Sequence, residues 1–140
     1  MKCRCKGYPF ATKAGPSADH TTGYGHYLYM DQSEYSQTGL QAVLDSPIMT
    51  STRLTGGACL SFWYHMYGTD VGILKVMTKS ADNNPSLQKQ EWFKYSSQGD
   101  QWIKADISIN LYYDFIISIV AMTEIGPRGV IAIDDITYTG

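Results

Sequence analysis

The stretch Gly57 to Gly68, GACLSFWYHMYG, decides the fold reading of this chain. In a strand, alternate residues face opposite sides, which places Leu60, Phe62, Tyr64 and Met66 on one face and Cys59, Ser61, Trp63, His65 and Tyr67 on the other. Both faces carry bulky groups. The strand is therefore expected to be central, with a core on one side and loops or a partner on the other.

Outward from this strand, short runs with the same period recur between turn signals. They are His26 to Asp31, Leu40 to Leu44, Ala58 to Tyr67, Gly72 to Thr78, Glu91 to Tyr95, Trp102 to Ile109, Asp114 to Met122 and Val130 to Tyr138. About eight strands with almost no helical periodicity predict an all-β domain. Antiparallel strands in this number are expected to close as a jelly-roll β-sandwich of two antiparallel sheets, which limits exposed edges. Residues 1–14 are basic, contain two cysteines and show no alternation, so they read as a leader of unknown structure before a domain over 15–140.

Composition narrows the function classes. Net charge is -2 with scattered lysines and arginines, which gives no footprint for nucleic acid. The apolar run Phe115 to Met122 falls far short of the roughly 20 residues that span a bilayer, so no membrane insertion by this chain is expected. The N-terminal MKCRCKGYPF lacks the apolar segment of a signal peptide. Cys3 and Cys5 stand too close to bridge each other comfortably and Cys59 is remote from both. The three thiols are open to two readings, reduced residues or half-cystines of a secreted domain.

Five successive segments resemble the motifs of a MAM domain in their order and spacing. They are GPSADHTTGYGHYLYMD from Gly15, CLSFWYHMYG from Cys59, VGILKV from Val71, QGDQW from Gln98 and RGVIAIDDI from Arg128. The resemblance implies an extracellular jelly-roll module serving adhesion and assembly, in parent proteins that are membrane-associated and without catalysis of its own. It also implies that the family's first strand, a Phe-x-Cys-x-Phe-Glu motif, is missing or replaced before Gly15. Cys59 matches a family half-cystine whose partner follows the Asp-Asp-Ile strand, so its disulfide partner is absent from this chain. Val130 stands where the family usually has aspartate after Arg-Gly.

No residue pattern supports catalysis. Asp134 and Asp135 are neighbours in a strand and point to opposite faces unless the chain turns between them, which denies them a matched acid and base. His20, His26 and His65 match no compact zinc spacing. By analogy with jelly-roll modules, Asp19 and Asp135 would hold a structural calcium, while no cofactor is required. The alternative is that Asp134 is solvated and that Asp135 and Asp19 bond to turn amides. Tyr112 and Tyr113 precede a strand in an expected exposed loop and are the first choice for a contact surface. The function so implied is a non-catalytic protein-interaction or adhesion module at the cell surface, binding a protein partner or itself. The alternative is a carbohydrate-binding jelly-roll module, which needs an exposed aromatic platform such as a coplanar Trp beside polar groups.

Overall fold

The computed structural model of the chain describes residues 1–5, 14–34 and 37–140, with only the backbone of 2–5 and 34. Among the described residues, nine strands form two antiparallel sheets. They are β1 (Lys2–Cys5), β2 (His26–Asp31), β3 (Gln41–Asp45), β4 (Ala58–Gly68), β5 (Ile73–Ser80), β6 (Lys89–Tyr95), β7 (Ile103–Ile109), β8 (Phe115–Met122) and β9 (Gly129–Thr139). One sheet runs β1-β2-β9-β4-β7, the other β3-β8-β5-β6. The eight expected runs all appear, and β4 is central in its sheet, between β9 and β7.

The ninth strand lies where the family's first strand was expected to be missing or replaced: Lys2–Cys5 pairs antiparallel with β2, with Cys3 opposite Leu28 and Cys5 opposite His26. Lys-Cys-Arg-Cys alternates charged residues with small, weakly apolar ones over only four positions, too short a run to stand out as a strand before its pairing on the open edge of β2 is seen. Residues 6–13 of the expected leader lie outside the described residues.

The sheets bury one main core between them. Leu60, Phe62, Tyr64 and Met66 of β4 meet Leu74 and Val76 of β5, Ile117 and Ile119 of β8, and Ile131 and Ile133 of β9. The alternating burial of β5 shows the two-residue period directly, with Leu74, Val76, Thr78 and Ser80 inward. Trp92 packs against this core from the edge strand β6, its ring edge-on to Phe62 and Tyr64.

A second, smaller apolar cluster lies on the outer face of the five-stranded sheet. Ala14, Tyr27, Val130 and Ala132 are buried there, with Tyr29 and Trp102 packed against them. The cover that β4's second bulky face demanded is thus supplied by the chain itself, in residues 14–25 and 96–102.

Candidate functional site

Residues 14–25 cross the outer face of the five-stranded sheet as a strap. Three backbone groups tie it down: Tyr27 donates its hydroxyl to the Pro16 carbonyl at 3.1 Å, Trp102 donates Nε1–H to the Ala18 carbonyl at 3.1 Å, and the His20 amide donates to Asp134 Oδ2 at 2.9 Å. The His20 ring stacks on Trp63 with centroids 3.7 Å apart. Inside the strap, the Asp19 carboxylate accepts hydrogen bonds from the amides of Thr22 and Gly25 and from the Thr22 hydroxyl. The bond from the Thr22 amide is the first cause that holds its carboxyl well below the usual range, at about 2. A side chain at Gly25 would meet Asp19 Oδ2 at 2.8 Å and force the carboxylate out of this set of bonds.

The acid pair departs from the simple strand rule. In β9 the register against β4 slips between Ser61 and Trp63, so one extra residue is inserted, and Asp135 takes φ 50°. This β-bulge turns the chain between the two aspartates. Asp134 and Asp135 are therefore not directed to opposite faces: Asp134 Oδ2 accepts the His20 amide, and Asp135 Oδ2 meets His20 Nδ1 at 2.8 Å and the Thr21 hydroxyl. The hydrogen bond from Thr21, then that from His20, lowers the Asp135 carboxyl below its ordinary range. The expected pairing of Asp19 with turn amides matches the geometry; Asp134 is bonded rather than merely solvated.

These contacts bear on calcium. Calcium takes six to eight oxygens, and Asp19 and Asp135 are each committed to donors of the strap. Among the described residues no group of three or more Asp, Glu, His or Cys is placed to hold a metal. With these donors in place, we propose that Asp19 and Asp135 serve the strap rather than a calcium ion. Thermal unfolding is accordingly expected to coincide in calcium and in chelator; a rise of several degrees in calcium would contradict this arrangement.

His65, from the outer face of β4, is buried at 2% exposure. Its Nε2 meets Asp100 Oδ1 at 3.0 Å, its Nδ1 has no hydrogen-bond partner, and its ring lies edge-on to Trp102. Burial pushes the imidazole pKa down, against the smaller opposing pull of Asp100. The unfolded chain therefore takes up this proton before the folded chain does, and stability present above about pH 6.5 is lost as pH falls below it. Urea midpoints measured at neutral and mildly acid pH should diverge in the wild type and converge in His65→Gln. An unchanged difference in that variant would assign the acid loss elsewhere.

The expected contact pair Tyr112 and Tyr113 is split. Tyr112 is 72% exposed, whereas Tyr113 packs against the main core and donates its hydroxyl to the Leu87 carbonyl at 3.3 Å. Tyr112 stands in loop 110–114, which is zipped to loop 46–57. Thr52 and Leu111 exchange backbone and side-chain hydrogen bonds, the Ser51 amide donates to Asp114 Oδ1, and Met49 bridges Phe115. Thr52 is 2% exposed while Leu54, in the same 3-10 turn Thr52–Leu54, is 96% exposed. With Ile48 at 63%, this loop end presents three large apolar groups on anchored backbone.

The family model described as MAM domain, meprin/A5/mu, matches residues 4–140, which takes in the end of the edge strand, the strap, the bulged β9 and both zipped loops. The chain is a MAM domain. It is 32% identical over 136 residues to human MAM domain-containing protein 2, covering 96% of this chain and 19% of that protein. It is 33% identical over 124 residues to MAM domain-containing glycosylphosphatidylinositol anchor protein 1 of rat, covering 88% of this chain and 13% of that protein. The chain thus spans less than one fifth of the length of either relative. Among solved structures, the K3 cleaved adhesin domain of Lys-gingipain from Porphyromonas gingivalis superposes with a TM-score of 0.61 at 14% identity, over 99% of this chain and 88% of that one. That likeness establishes the fold.

In this MAM domain Trp63, Trp92 and Trp102 are all partly buried, so none of them makes the exposed platform that a glycan reading asks of tryptophan. The exposed aromatic groups other than Tyr112 include Phe93 and Tyr95 of β6. Cys59 lies at the start of β4 opposite Thr139 of β9, with Sγ 3.6 Å from Ser61 Oγ, and has no disulfide partner among the described residues.

Proposed function

We propose that this MAM domain is a non-catalytic interaction module of an extracellular protein, and that it binds a protein partner, a second copy of itself included, through the loop end formed by 46–57 and 110–114. The observation that carries the reading is the contrast within one turn between buried Thr52 and almost fully exposed Leu54. Large apolar groups held on anchored backbone lose little conformational entropy on contact, which is how an interface hot spot keeps its binding energy. The membership of the family and the printed names of its relatives support a surface-displayed parent. The aspartates and histidines that could have suggested chemistry are bonded to one another or to the strap and its neighbouring loop, which supports a structural role for them.

Sedimentation equilibrium over a concentration series tests this. Wild type is expected to self-associate, and Leu54→Asp to remain monomeric with an unchanged melting temperature, because Leu54 contributes almost nothing to burial. Self-association that Leu54→Asp and Tyr112→Ser leave intact would place the contact elsewhere.

A further inference from the structure

The strap covers the outer face of one sheet only. On the other sheet, the outward residues of β3, β8, β5 and β6 line up in rows fixed by the register: Val43, Val120, Lys75 and Phe93 in one, Gln41, Met122, Ile73 and Tyr95 in the next. A shallow groove of about 260 Å³ crosses these strands, lined by Gln41, Val43, Lys75, Lys79, Gln88 and Ser118 among others. Asp45, at the end of β3 beside the groove, ties two of its lining residues into a polar set. Asp45 accepts the Ser118 hydroxyl through Oδ1 and meets Lys79 Nζ at 3.4 Å through Oδ2. Lys75 has no carboxylate partner among the described residues, and its cross-strand neighbour Phe93 is 55% exposed. Tyr95, two residues along the same edge strand, is 54% exposed.

We infer that this groove binds an acidic oligosaccharide, a glycan chain bearing carboxylate or sulfate groups. A sugar ring has an apolar C–H face and a rim of hydroxyls, and the groove offers aromatic side chains along its edge beside amide, hydroxyl and ammonium tips that can fix orientation. The charge selects the acidic class. Two lysines face a single aspartate, so the groove keeps one ammonium for a carboxylate or sulfate, where a charge-assisted bond is stronger than a neutral one. A protein partner would ask for a continuous apolar patch, whereas here Gln41, Lys75, Lys79 and Ser118 interrupt the aliphatic side chains. The site is separate from the loop end of Leu54, and its occupation does not depend on that contact.

The test is calorimetric titration of the folded domain with three probes: a hyaluronan hexasaccharide carrying carboxylates, a heparin hexasaccharide carrying sulfates, and neutral cellohexaose. At least one acidic probe is expected to bind in preference to cellohexaose, with affinity that falls as salt rises. Lys75→Ala should weaken it about tenfold, the loss of one charge-assisted bond. Phe93→Ala should weaken it as well, Lys104→Ala on the other sheet should not, and the melting temperatures of Lys75→Ala and Phe93→Ala should match wild type. Binding of hyaluronan shows that a carboxylate suffices, and binding of heparin without hyaluronan shows that sulfate is required, since heparin carries both groups. Equal binding of all three probes, or binding indifferent to Lys75→Ala, overturns the inference. So does absence of saturable binding at millimolar probe, or self-association of the domain that is lost in Phe93→Ala, which would make the face a protein interface.

Discussion

Replacing Gln32 by leucine is expected to lower the unfolding free energy by about 3 kcal/mol, out of proportion to a near-isosteric change at a loop position. Gln32 follows β2 and is 1% exposed. Its Nε2 donates to the Asp70 carbonyl at 2.6 Å and to the Gly126 carbonyl at 3.2 Å, and its Oε1 accepts the Gly72 amide at 2.8 Å. One side chain thus satisfies backbone groups of two connections, 68–72 and 123–128, that close the same end of the sandwich. Leucine fills the space and leaves those groups without partners, each at about 1–3 kcal/mol when water cannot reach it. Gly72 packs directly on the neighbouring strand, where a Cβ would sit 2.0 Å from the Met122 carbonyl oxygen. Urea unfolding of Gln32→Leu measures the loss, and amide exchange should quicken around 70–72 and 124–126. A loss below about 1 kcal/mol, the worth of a single ordinary hydrogen bond, would show that water replaces the side chain.

Phe62→Ala and Trp63→Ala should differ in kind, although the residues are adjacent and both aromatic. Phe62 is 0% exposed in the main core, edge-on to Trp92 with centroids 5.5 Å apart. Its truncation is expected to cost about 3–5 kcal/mol, through lost transfer energy and the cavity left behind. Trp63 points the other way, beneath His20 of the strap. Its removal withdraws one stacking contact, worth about 0.5–1.5 kcal/mol beyond the buried area, while the bonds from Tyr27, Trp102 and Asp134 continue to hold the strap. Hydrogen exchange separates the two. Phe62→Ala should raise exchange throughout the sandwich, and Trp63→Ala should raise it chiefly within 18–25. Equal and global effects of both would mean that strap and core form one cooperative unit.

These contrasts mark what a strand pattern can carry. The alternation in β4 contains both faces of the sheet: Leu60, Phe62, Tyr64 and Met66 enter the core, and Trp63 and His65 lie under loops, as their bulk on the second face required. Lys2–Cys5 was not legible as a strand, because its alternation of two cysteines with two charged residues is short and weakly apolar, and an edge strand of this length is held chiefly by backbone pairing. The bulge at Asp135 was hidden for a different reason. Left-handed backbone is usually announced by glycine, and here an aspartate adopts it, so the pair read as ordinary strand neighbours.

The candidate surfaces were legible in part. A tyrosine pair before a strand suggested exposure, and only the packing of Tyr113 against the core and its bond to the Leu87 carbonyl show that it turns inward while Tyr112 stays out. Leu54 gave no signal, since an isolated leucine near turn residues reads equally well as a core anchor. Its exposure follows from the neighbouring Thr52, whose hydroxyl takes the buried position against Leu111. Gln32 is the reverse case. A glutamine after a strand reads as solvated loop, and its burial becomes visible once three distant backbone groups converge on it.

The most direct measurement of the interaction role is bead aggregation. Beads coated densely with the domain make many weak contacts at once, so an interface too weak for isolated molecules becomes visible. Wild-type beads are expected to aggregate, and beads carrying Leu54→Asp to stay dispersed while the domain keeps its melting temperature. Aggregation that survives Leu54→Asp, or wild-type beads that never aggregate with themselves or with beads bearing a surface-protein extract, would contradict the account.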